Sequence, residues 1–332
     1  MPDRMPPGCY VTMVTPFDAD GAIDWPAFDQ MIEWYIASGC VGIFTPCLSS
    51  EMYELTDDER LAVARRALSR AAGRAQIVSV GTYGGPIEDQ ADFVLRMVEC
   101  CDAVVVNTSA LASEDEDDSV WRGRAEQLLS MTGDVPLGLY ECPVPYKRLL
   151  TPELAEWCGR AGRFYFHKDT SCRMADIRAK LHRMRGGSTL RFFNANVETL
   201  LPSVRAGGAG FSGISANFYP HLHAWLCANA KGDDAPMDDL NAVQDFLTLA
   251  EATVCVDYPA SAKTYLSRFV PTAGVSTSVC RKRGPDGKTC GEGGLAEHKV
   301  YALGAMHRMQ RELCRRVGIA EVDRLEVVQS YY

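Results

Sequence analysis

The chain has 332 residues, is 47% hydrophobic and 23% charged, and carries a net charge of −9, as expected of a globular protein with one large domain or two ordinary ones. The acidic balance argues against a nucleic-acid or membrane-surface partner, and no apolar run approaches the roughly 18 residues that span a bilayer. Thirteen cysteines at irregular spacing, with no Cys-x-x-Cys and no His-Glu-x-x-His, make neither a disulfide framework nor a zinc site.

The first strand is expected over residues 9–15, stopped by Pro16. A helix capped by Asp24 follows, with Phe28, Met31, Ile32, Tyr35 and Ile36 at helical spacing, and Gly39 ends it. After a short apolar strand over 41–46, Thr56 and Glu59 form a capping box that opens the next helix. Further strands are expected over 77–80, 103–106, 136–141, 164–167, 190–193 and 211–214, each followed by a helical pattern. The acidic run from Glu114 to Asp118 reads as a solvated loop or the first turn of a helix rather than a metal site. Eight strand–helix units imply a parallel sheet closed into a (β/α)8 TIM barrel over residues 8–231. Beyond it, residues 232–332 read as a C-terminal helical appendage, and the Gly-rich, basic stretch 275–294 as an exposed, mobile loop.

The sixth strand carries the chemistry. Phe164-Tyr165-Phe166-His167 runs straight into Lys168-Asp169-Thr170-Ser171. A lysine after a strand is ordinarily the first solvated residue of a loop. Held instead in an apolar pocket, its charged form is disfavoured and its amine becomes a nucleophile for a ketone carbon. Active sites of such barrels lie at the C-terminal ends of the strands. There the fifth strand brings Tyr140 beside Lys168, the second brings Ser49, Ser50 and Glu51, the seventh Asn194 and Asn196, and the eighth Ser212, Ser215 and Asn217. A lysine, a phenol and small hydroxyls around one mouth suit Schiff-base chemistry. His167 should face away from Lys168, into the core.

In these segments the chain resembles the dihydrodipicolinate synthase / N-acetylneuraminate lyase family of pyruvate-type class I aldolases. The likeness covers most of residues 8–270: Val14-Thr15-Pro16-Phe17, then Glu51 and Leu55-Thr56, Gly81-Thr82, Tyr140-Glu141-Cys142-Pro143, Lys168-Asp169-Thr170-Ser171 and Ser215-Ala216-Asn217. The resemblance implies that Lys168 forms an imine with pyruvate or another 2-oxo acid, that Tyr140 shuttles protons, and that Ser49 and Ser50 hold the carboxylate, with Asn196 and Ser212 also binding substrate. It implies no cofactor and no metal, a small-molecule partner, and a homo-oligomer (dimer or tetramer). With no apolar signal core in residues 1–7, a cytoplasmic location is expected. The departures are specific. Leu48 stands where many members have a relay hydroxyl, Leu111 where a tyrosine pair is usual, and Pro145, Lys147 and Arg148 where dihydrodipicolinate synthases place a carboxylate-binding arginine. These departures keep open an imine-dependent dehydratase or decarboxylase, and a small-molecule sensor on a decayed aldolase scaffold.

Overall fold

The computed structural model describes residues 5–232, 235–284 and 287–320. Residues 1–4, positions 285–286 of the 275–294 loop, and residues 233–234 and 321–332 of the expected helical appendage lie outside the described residues. Eight parallel strands close into a barrel in sequence order: β1 (Gly8–Thr12), β2 (Gly42–Phe44), β3 (Gln76–Val80), β4 (Ala103–Asn107), β5 (Leu137–Tyr140), β6 (Phe164–Asp169), β7 (Arg191–Asn194) and β8 (Gly210–Phe211). The helices between and after them are α1 (Trp25–Ala37), α2 (Asp57–Ala71), α3 (Ile87–Met97), α4 (Asp118–Met131), α5 (Pro152–Arg160), α6 (Met174–Arg183), α7 (Leu200–Arg205) and α8 (Pro220–Asn229).

Strand alternation separates two cores. Tyr10, Phe44, Val78, Val80, Val105, Phe166 and Phe193 fill the barrel interior. Val11, Ile43, Ile77, Val104, Val106 and Leu139 face outward against the helices. Aromatic rings occupy so much of the bore that small residues must oppose them: a Cβ on Gly42 would lie 2.1 Å from the Tyr10 ring. The start signals legible in the sequence hold. Asp24 accepts from the Ala27 N–H at 3.0 Å, and Thr56 and Glu59 make the reciprocal capping box of α2. Asp117, within the acidic run, caps α4 through the Ser119 and Val120 N–H groups.

Strands β1 and β2 are shorter than expected and β6 is longer, and two further boundaries move where polar side chains take over backbone groups. The helix after the seventh strand begins only at Leu200, after Asn194, Asn196 and Thr199 have bonded one another. The eighth strand ends at Phe211, and a short 3-10 turn, Ile214–Asn217, follows. Asn217 Nδ2 donates to the carbonyls of Thr12 (2.7 Å) and Ile214 (3.0 Å), which draws the chain into that turn.

After the barrel come α9 (Met237–Val254), α10 (Ala260–Phe269) and α11 (Glu297–Arg316). Leu240, Val243, Leu247, Tyr265 and Leu266 of these helices join the same core as the outer barrel face. The 275–294 stretch is exposed at 282–283, 287–288 and 292–294, as expected, but is anchored at its start. Cys280 is buried, and the Arg281 and Lys282 N–H groups donate to the Glu51 carboxylate at 2.6 and 2.7 Å. Thr277 donates to the Phe17 carbonyl, and Arg281 forks onto Glu59. The loop is pinned because Glu51, fully buried beside β2, needs donors, and Lys263 of α10 alone (2.6 Å) leaves its second oxygen unsatisfied.

Candidate active site

The strand β6 runs past Lys168 to Asp169, so Lys168 is a strand residue and not the start of a loop. It pairs in register with Tyr140 on β5 and Phe193 on β7, so the three side chains share the inward face. The ammonium end lies 4.4 Å from the centre of the Tyr140 ring and 5.6 Å from that of Phe44. The side chain is 4% exposed, and no carboxylate among the described residues pairs with it. Burial lowers its pKa to about 8, against a small opposing effect of the Cys47 and Cys142 thiols. A pKa near 8 leaves about a tenth of the amine neutral at pH 7. The Tyr140 phenol is pushed well above its ordinary range, mainly by burial, so it stands as a neutral O–H.

Across the mouth, Ser49 Oγ donates to Thr12 Oγ1 (3.1 Å), which in turn donates to the Gly213 carbonyl (3.1 Å). Ser50 is occupied locally: its Oγ donates to the Met13 carbonyl at 2.7 Å and accepts from the Cys47 N–H at 3.0 Å. Ser212 continues the β8 ladder through its N–H to Asn194 and alternates with the outward Phe211. Its hydroxyl is buried with no partner among the described residues, so it is available to a ligand. Asn196 is engaged in the β7 loop with Glu198 and Thr199. The structure therefore gathers Lys168, Tyr140, Ser49 and Ser212 at the barrel mouth, ties Ser50 into the turn beneath, and holds Asn196 in the loop. Arg148 is drawn away to Asp118 (3.0 Å) and to the carbonyls of Ser113 and Glu116, and Lys147 is exposed.

Behind the mouth, on the outward faces of β5 and β6, lies a polar cluster. Glu141, His167 and Asp169 bring ligand-type atoms within 4.8 Å of one another. The positive charge there is Lys180 of α6, whose Nζ lies 2.5 Å from Glu141 and 2.6 Å from Asp169. Burial alone would raise the Glu141 pKa; Lys180 and then His167 outweigh it and hold the carboxyl well below its usual range. Glu141 also accepts from the N–H groups of Leu150 and Thr170 at 2.9 and 2.7 Å, tying both loops to the strand that ends in Tyr140. His167 faces this cluster, away from Lys168, as alternation requires.

Thr12, Lys180, Lys263 and Tyr258 carry no signal of their own in the sequence. Lys180 and Lys263 sit on amphipathic helices, where a lysine ordinarily meets water. Only their long-range partners, Glu141 with Asp169 and Glu51, show otherwise.

A family model described as the dihydrodipicolinate synthetase family matches residues 5–85. The 4-hydroxy-tetrahydrodipicolinate synthase of Acidobacterium capsulatum is 26% identical over 230 residues, which cover 68% of this chain and 74% of that one. That of Thermomicrobium roseum is 27% identical over 260 residues, 77% and 83% of the two chains. The chloride-inhibited dihydrodipicolinate synthase from Acinetobacter baumannii, complexed with pyruvate, shares the fold. Its TM-score is 0.75 at 18% identity, over 95% of this chain and 99% of that one. The sequence matches cover about two thirds to three quarters of this chain, and the structural match 95% of it. The family model, the curated relatives and the solved structures point the same way: the chain is similar to the dihydrodipicolinate synthase family and shares its fold, as a divergent relative.

Proposed function

We propose that Lys168 is the Schiff-base residue and that a 2-oxo acid, pyruvate or a substituted pyruvate, is the electrophile. The observation that carries this reading is a buried lysine with no carboxylate partner among the described residues, stacked on a neutral phenol. The neutral amine attacks the ketone carbon, the carbonyl oxygen leaves as water, and an imine joins Nζ to the former carbonyl carbon. Loss of a proton from the adjacent carbon gives an enamine that attacks an aldehyde, and the reverse sequence cleaves the C–C bond. Tyr140, whose ring centre lies 4.4 Å from Nζ, delivers and recovers protons at these steps. Ser49 turns its hydroxyl proton from Thr12 to receive the carboxylate, and Ser212 offers a second hydroxyl inside the bore. The relatives are 4-hydroxy-tetrahydrodipicolinate synthases, but here Arg148 is engaged elsewhere, which favours an acceptor aldehyde without a second carboxylate.

Borohydride reduction in the presence of pyruvate should leave a stable adduct on the native chain and none on Lys168→Ala, read by intact mass. Absence of an adduct with every 2-oxo acid in a panel would overturn the reading. Product analysis then separates a lyase, which releases a second carbonyl compound, from a dehydratase or decarboxylase. A cytoplasmic homo-oligomer is part of the same proposal, and light scattering reads the assembly.

A further inference from the structure

Tyr258 belongs to the turn between α9 and α10, outside the eight strand–helix units, yet its phenol oxygen reaches the barrel mouth. Asn217 Nδ2 donates to it at 3.1 Å, and the Ser49 and Thr12 hydroxyls lie beside the same oxygen. The turn is held in place. Asp257, directly before it, has φ of 57°, a left-handed conformation that a non-glycine residue adopts at a cost. The carbonyls of Asp257 and Tyr258 sit 3.5 and 3.6 Å from Cys290 Sγ, in the ribbon that Glu51 anchors.

The direction of the hydrogen bonds identifies the phenol as a donor held only by neutral hydroxyls. Asn217 is oriented by its other contacts: Oδ1 accepts from the Val14 N–H (3.2 Å) and the Tyr35 hydroxyl (2.8 Å), so its amide N–H groups face Thr12, Ile214 and Tyr258. The Ser49 proton goes to Thr12, and the Thr12 proton to the Gly213 carbonyl. Tyr258 Oη accepts from Asn217, and among the described residues the Ser49 and Thr12 hydroxyl oxygens are what its proton meets, weaker acceptors than a carboxylate. Burial pushes the phenol well above its ordinary range, so that proton stays on through the neutral region. A neutral O–H, pre-aimed and without a carbonyl acceptor, beside a serine already bonded to its neighbour, suits an anionic oxygen.

We propose that Tyr258 is a substrate-binding phenol that donates its hydrogen bond to the carboxylate of the bound 2-oxo acid, completing with Ser49 a carboxylate subsite opposite Lys168. This rests on the reading that the site takes a 2-oxo acid. It makes the C-terminal helices part of the binding site. Leu48 brings no hydroxyl to this edge of the mouth, and Tyr258 brings one from elsewhere in the chain.

The test separates carboxylate recognition from imine formation. In a Lys168→Ala background pyruvate binds without reacting, and calorimetry reads its affinity alone. There Tyr258→Phe is expected to weaken pyruvate about 10- to 100-fold, the range for one hydrogen bond to a charged group. In the Lys168-containing chain the same change should raise the half-saturating pyruvate for borohydride trapping by a similar factor. Trapping of hydroxyacetone, a ketone without a carboxylate, should move by less than about twofold. Combining Ser49→Ala with Tyr258→Phe should cost less than the product of the two single losses. Unchanged pyruvate affinity, or an equal loss for hydroxyacetone, overturns the proposal. Should Tyr258→Phe not melt as its parent does, difluorotyrosine incorporated at position 258 keeps the ring and makes the phenol more acidic. The upper pH limit of pyruvate binding should then fall, and an unmoved limit counts against the subsite. If the native chain traps no imine while Tyr258 still governs pyruvate affinity, the Schiff-base reading fails and the carboxylate subsite stands.

Discussion

Lys168 and Lys180 are 4% and 2% exposed, one near the end of β6 and the other on α6, which follows it. Burial acts on both in the same sense, disfavouring the ammonium. Lys168 meets aromatic rings and thiols, and its pKa falls to about 8. Lys180 meets Glu141 and Asp169, whose charges outweigh burial and raise its pKa. The partner, rather than the depth, decides which lysine is a nucleophile and which is a counter-ion. The strand pleat sorts the partners: on β5 and β6, Tyr140 and Lys168 face the bore, while Glu141, His167 and Asp169 face α6. A slip of one residue in either strand would put a carboxylate against Lys168 and quench it.

The sharpest break in this comparison is Lys168→Met, which should abolish adduct formation while Lys180→Met leaves the adduct detectable by mass. Next is Tyr140→Phe. If the phenol moves protons rather than merely packing on the amine, turnover should fall about 10²- to 10⁴-fold while the borohydride adduct with pyruvate still forms. Equal loss of both would make Tyr140 part of the pocket wall only. Third is Lys180→Met itself. Removing one partner leaves Glu141 and Asp169 buried without their cation, at a cost of about 3–5 kcal/mol, read as a lower denaturant midpoint. Adding Glu141→Gln to Lys180→Met should restore part of that loss, because the double change also removes one of the stranded charges.

The order of elements and the pairing of Tyr140 with Lys168 were legible because they depend on local pattern. Apolar alternation, a capping box at Thr56 and Glu59, and consecutive parallel strands constrain which residues share a rim. The contacts that complete the mouth were not legible, because they join segments far apart in sequence. Glu51 meets Lys263 and the N–H groups of Arg281 and Lys282, so a stretch rich in glycine and charge is held down by one buried carboxylate. Tyr258 meets Asn217 from beyond the last barrel unit. Nothing in the local sequence around Tyr258 separates a phenol aimed at the bore from one packed at a helix start. Ser50 shows the converse: its position next to Ser49 suggests a ligand contact, but in a 3-10 turn consecutive side chains diverge, and its hydroxyl closes the turn instead.

The smallest effect is one of pH, and it tests the comparison with both lysines intact. With a folded pKa near 8 for Lys168, the rate of imine formation at fixed pyruvate should rise about tenfold per pH unit below that value and level off above it. The same depression affects stability. Between about 8 and the ordinary lysine value of about 10.4, the unfolded chain holds a proton at this position that the folded chain has lost, so the contribution of Lys168 to stability increases with pH across that window. It is fully present above the unfolded pKa and is lost as pH falls through the folded one. The difference in unfolding free energy between the native chain and Lys168→Met should therefore shift in favour of the native chain by about 3 kcal/mol from pH 8 to above pH 10, measured by denaturant titration. Lys180, whose pKa is raised, gives no such gain between pH 8 and 10, because its proton remains bound in both states over most of that range. A difference curve that is flat for Lys168→Met would mean that its amine is charged in the folded chain, and the contrast between the two lysines would vanish with it.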